Sequence, residues 1–161
     1  MSMFENDQYR WRETYFVLFD AARRPQLKTV LKRLGSLGNH FTFANSVAND
    51  EGLFESLTVL SPDDFAALDI CYLAGDEVRE QSLELAKEMK SPDCSREDLA
   101  KIERLKRLDG RLDVLHFEQL LDACGDELED MFDPSSLLVV LEALVEITEG
   151  VAVDPQAGAM L

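Results

Sequence analysis

Residues 15–19 read Tyr-Phe-Val-Leu-Phe, apolar at every position and rich in aromatic and β-branched types. Side chains of a strand point alternately to its two faces. A strand made of this run is therefore central in its sheet and covered on both sides. A chain of 161 residues is long enough to bury such a strand within one domain spanning 1–161. With 46% apolar and 30% charged residues, the composition is that of a globular chain, not a disordered one.

Punctuation on either side of this run organises the rest. Asp20 to Pro25 turns the chain, and Leu27, Val30, Leu31 and Leu34 then recur at helical spacing up to Gly35 and Gly38. Phe41–Ala44 and Leu53–Leu60 read as two strands joined by Asn49-Asp-Glu-Gly52, a hairpin. Ser61-Pro62-Asp63-Asp64 reads as a helix start, with Ser as cap, Pro in the first turn and acids on the helix dipole. Leu68–Ala74 is the next strand. The order to this point is β-α-β-β-α-β, which is ferredoxin-like.

Gly75-Asp76 opens a helix that turns Val78, Ser82, Leu85, Ala86 and Met89 to one side. After a linker at 91–95, Ser95 and Asp98 form a near capping box ahead of Leu99, Ile102 and Leu105 or Leu108. Leu112–Glu118 is a strand. Pro134 opens a helix carrying Leu137, Val140, Leu141, Leu144 and Ile147 or Thr148, which Gly150 stops. Val151–Val153 and Ala159–Leu161 close the chain as short strands. The spacing after Pro25 recurs after Pro134, as in a decayed duplication; any amphipathic helix gives the same spacing. The fold class is α+β, a mainly antiparallel sheet with helices packed on it. It subdivides into a βαββαβ-like part at 13–75, a helical hairpin at 76–110 and an acidic β-α-β part at 111–161.

Charge is the second strong constraint. The net charge is −16, and it is uneven: residues 1–40 carry seven Lys/Arg against four Asp/Glu, whereas 112–161 carry twelve Asp/Glu and no base. Such a chain repels nucleic-acid phosphate and anionic lipid, so neither nucleic acid nor membrane is an expected partner. A basic protein surface, or the chain's own basic segment, suits the acidic half; acidity that merely keeps the protein dissolved is the plainer alternative. The N-terminus has no apolar leader core, and no apolar run is long enough to cross a bilayer. Cys71, Cys94 and Cys124 are odd in number without metal-type spacing. These features point to free thiols in a reducing cytoplasm.

No catalytic or cofactor motif is spelled out, and no cofactor is expected. His116 and Glu118, two apart on a strand, share a face and are the candidates for acid–base chemistry. A buried structural histidine is the alternative reading. The zinc deaminase spelling that begins His-x-Glu lacks its downstream Pro-Cys-x-x-Cys. Cys71 reads as buried and inert, and His40 as a loop or helix-end residue. Cys124 lies among carboxylates that raise its pKa, which disfavours a thiol enzyme.

In 122–133 a stripe of apolar residues lies opposite carboxylates at helical spacing. Asp122, Asp126 and Asp130 are the candidates for a divalent cation, although the pattern does not match a calcium loop. Like charges so placed cost a few tenths of a kcal/mol per pair. Asp126, Glu129, Asp130 and Asp133, with Arg24, Lys28 and Lys32 on the basic helix, are the candidates for contact with a protein partner or a second copy. The leading expectation is a non-enzymatic cytosolic interaction or regulatory protein. A small-molecule-binding regulatory domain of ferredoxin-like type, with its ligand at a sheet edge or dimer interface, is the first alternative. An enzyme using His116 and Glu118 is the second.

Overall fold

In the computed structural model, residues 9–37, 41–61, 66–89, 92–119 and 135–161 are described. The elements run β1 (Tyr9–Phe19), α1 (Leu27–Gly35), β2 (Thr42–Ala48), β3 (Phe54–Ser61), β4 (Ala66–Ala74), α2 (Asp76–Met89) and α3 (Arg96–Leu105). Then follow β5 (Gly110–Gln119), α4 (Ser135–Thr148), β6 (Val151–Asp154) and β7 (Ala159–Met160). The strands form one seven-stranded sheet in the order β2-β3-β4-β5-β1-β6-β7, and every neighbouring pair is antiparallel. The α+β class follows directly.

The double-sided run of β1 sits where its composition requires, between β5 and β6. Val17 and Phe19 enter one core with Val30 and Leu34 of α1 and Leu137, Val140, Leu141 and Leu144 of α4. Phe16 and Leu18 face the other way, into a core with Val78, Leu85, Ala86 and Met89 of α2 and Ile102 and Leu105 of α3. Helices thus lie on both faces, α1 and α4 on one, α2 and α3 on the other. Phe19 is fully buried, so truncating it to Ala would cost about 3–5 kcal/mol.

The ferredoxin-like order does not hold. Ser61 and Ala66 face each other as the terminal pair of the β3–β4 ladder, so these strands are sequential neighbours with no helical crossover between them. The helix expected from Ser61 is replaced by strand pairing through Ser61 itself; Pro62, Asp63 and Asp64 lie outside the described residues. The apolar alternation of Leu57, Val59, Leu68 and Ile70 onto one core outweighs the local start signal. The like-spaced helices α1 and α4 share one face, but their connections are not equivalent. The β1-α1-β2 crossover passes over three strands and β5-α4-β6 over one, so no repeat is visible in the topology.

The two faces are not covered equally. On the α1–α4 side the helices reach across to Phe54, Leu57 and Val59 of β3. On the other side α2 and α3 pack mainly over β1 and β6, and Ala67 and Phe117 form a small separate cluster with Tyr9, Leu60 and Leu115. Among the described residues, the helix-covered core on this side takes in no residue of β2, β3 or β4, and this face of theirs is open to that extent. Cys71, on this open face, is exposed instead of buried.

Candidate functional site

His116 and Glu118 are two positions apart on β5, but the structure gives each a different partner on β1. Cα pairing sets Glu13 opposite His116 and Arg10 opposite Glu118, with a bulge between Trp11 and Glu13. His116 Nδ1 lies 3.2 Å from Glu13 Oε1, and the Tyr15 hydroxyl donates to the same oxygen at 3.3 Å. Because a carboxylate only accepts, Nδ1 carries the proton and donates it. Glu118 instead receives Arg12 at 3.1 Å and Arg10 on its other oxygen. The expected His116–Glu118 pair is therefore corrected to His116–Glu13 and Glu118–Arg10/Arg12. Cross-strand pairing places a β1 residue nearer to each than they are to one another.

The electrostatics fit a structural cluster. His116 is 1% exposed. Burial is the largest influence on its pKa and lowers it; the Glu13 hydrogen bond and charge raise it, Arg12 lowers it, and Glu118 raises it least. Tyr15 is pushed up to about 12, first by burial, then by the charges of Glu13 and Asp154. The Arg10 and Arg12 guanidinium groups both reach Glu118, while Glu13 is held by His116 and Tyr15. Chemically the cluster can fasten the first half of β1 to the end of β5. Sequence reasoning missed Glu13 and Tyr15, which are about a hundred positions from His116. The available signal was a charged residue set in phase with the core-facing side of β1.

Of the basic candidates, Lys28 and Lys32 are exposed on α1 and make no ion pair among the described residues. Arg24 is drawn inward: its Nε donates to the Phe54 carbonyl at 2.9 Å, and its guanidinium lies 4.0 Å from the Tyr72 ring centroid. It is a packing residue at the sheet margin. The basic and acidic ends of the chain do meet within the fold. Arg33 of α1 pairs with Glu146 of α4, and Arg23 pairs with Glu149. Asp122, Asp126, Glu129, Asp130 and Asp133, with Cys124 and His40, lie outside the described residues. Among the described residues, no three His, Cys, Asp or Glu side chains gather into a metal-binding group, and no helix is long and apolar enough to cross a membrane. Comparison with protein-family models, curated proteins and solved structures gives no match.

Proposed function

We propose that the protein is a non-enzymatic interaction or regulatory module, acting in the cytoplasm, whose acidic C-terminal half engages a basic surface. That surface belongs to a partner protein or to a second copy of the chain. The observation that carries this reading is how the charge is used. Nine described bases, Arg10, Arg12, Arg23, Arg24, Arg33, Arg79, Lys87, Lys106 and Arg111, are each committed to a carboxylate of the chain itself. A net charge of −16 remains, and the segment 122–133 holds six carboxylates and no base. Excess charge of one sign steers association with the opposite sign and weakens as salt rises. The exposed thiol of Cys71 suits a reducing compartment.

The test is capture on the immobilised protein at low and high ionic strength, beside the variant Asp126→Asn/Glu129→Gln/Asp130→Asn/Asp133→Asn. A basic partner should bind the parent at low salt, leave at high salt, and fail to bind the variant. Light scattering at low salt measures self-association in the same pair. Retention that ignores both salt and the four substitutions, with a monomer mass throughout, defeats the reading.

A further inference from the structure

The open face of β2, β3 and β4 contains a groove of about 230 Å³, lined by Asn45, Val47, Ser56, Thr58, Asp69 and Cys71. Leu57 and Ile70 also border it, but they bury their side chains in the core on the other face. We propose that this groove binds a small organic cation: a primary ammonium group on a short apolar body.

The groove has a polar floor and a partly apolar rim. Thr58 is only 4% exposed, and its hydroxyl donates to Asp69 Oδ1 at 2.7 Å. The Asn45 amide donates to the same hydroxyl at 3.5 Å. The three side chains form a line across three adjacent strands, and this line fixes the carboxylate in place. Asn45 is held at φ 50°, where the β2–β3 register breaks between Ala44 and Val47. Bulges re-aim side chains in this way beside binding sites, and Asn tolerates the left-handed region better than most residues.

One row further along, Cys71 stands opposite Ser56 on β3 and Asp113 on β5. The Cys71 thiol is pushed up by burial, then by the charges of Asp69 and Asp113. Arg111 pairs with Asp113 at 2.6 Å, so Asp69 is the charged side chain that lines the groove itself. A carboxylate fixed at the groove favours a cation over phosphate or carboxylate ligands. Val47, 44% exposed, supplies an apolar wall. Drug-sized ligands occupy roughly 300–1,000 Å³, so the volume restricts the occupant to a small amine.

Cys71 gives the test a built-in reporter. Phenethylamine is titrated into the full-length protein, with 3-phenylpropionate as the size-matched anion. Amide resonances are followed by NMR, and alkylation of Cys71 by iodoacetamide is followed by peptide mapping. Phenethylamine should shift the amides of Thr58, Asp69 and Cys71 in a saturable way and slow Cys71 alkylation severalfold; the anion should do neither. Asp69→Asn, which keeps an acceptor for Thr58, should abolish both effects, and Thr58→Val should weaken them. The proposal is overturned if the amine does not saturate, if the anion acts equally, or if Asp69→Asn binds as the parent does. It is independent of the basic-partner reading and survives that reading's failure.

Discussion

His116 ties stability to pH, and the direction can be worked out. Its pKa is lowered by burial in the folded state, so below the ordinary histidine range the unfolded chain binds a proton that the folded chain resists. Stability is therefore full above about pH 6.5 and falls as pH drops through and below that value. Urea midpoints measured from neutral to mildly acidic pH should show this loss, and His116→Gln should remove most of the slope. Tyr15 acts at the other extreme. With its pKa at about 12, it keeps its proton when an unfolded tyrosine has lost it near pH 10, so stability falls as pH rises between the two. An ultraviolet titration of the parent against Tyr15→Phe should place one tyrosine at about pH 12. A third residue-scale feature is the Glu149–Gly150 junction. Glu149 sits at φ 54°, a left-handed position that glycine or asparagine fills more cheaply. Its ion pair with Arg23 is exposed and worth little. Glu149→Gly should stabilise by about 0.5 kcal/mol. Gly150→Ala should destabilise by about 1–3 kcal/mol, since its new Cβ would lie 2.5 Å from the Leu18 carbonyl oxygen. Chemical denaturation distinguishes the two signs.

The helices and strands that local chemistry specifies strongly were legible. The apolar face expected of 76–89 is the buried face of α2, residue for residue: Val78, Ser82, Leu85, Ala86 and Met89. Ser95 and Asp98 complete the capping box at α3, with Asp98 N donating to Ser95 Oγ at 3.1 Å. Ser95→Ala should therefore cost about 1 kcal/mol in denaturant unfolding. The Asn49 turn is equally local. Its side chain accepts from the backbone of Glu51 and Leu53, and Gly52 takes φ 81°. What local pattern could not convey was pairing between distant segments. Ser61-Pro62-Asp63-Asp64 carries every cap signal, yet the β3–β4 ladder claims Ser61. Glu118 lies beside His116 in sequence, yet Glu13 from β1 is the histidine's partner. The groove residues Thr58 and Asp69 were visible only as polar interruptions of apolar strands. Their adjacency depends on the β3–β4 register.

Across the molecule, protection against opening should follow sheet position. β1 and β5 share ten residue pairs and have neighbours on both sides, whereas β2 and β7 are edges, β2 broken by bulges and β7 two residues long. Amide exchange should be slowest in β1 and β5, near the global unfolding limit, and fastest in β2 and β7. Equal exchange across all strands would show that the sheet opens as one unit. The placement of β1 also bears on synthesis. Both of its neighbours, β5 and β6, lie about a hundred or more residues downstream. Most nascent segments can meet a strand partner soon after they emerge, as β2, β3 and β4 do. The apolar run 15–19 emerges about ninety residues ahead of its β5 partners and further still ahead of β6, so neither ladder can form until those segments follow. Such long-range closure slows folding and prolongs exposure of an aggregation-prone strand. A ribosome-bound chain ending before residue 110 should therefore need a chaperone that the finished protein does not.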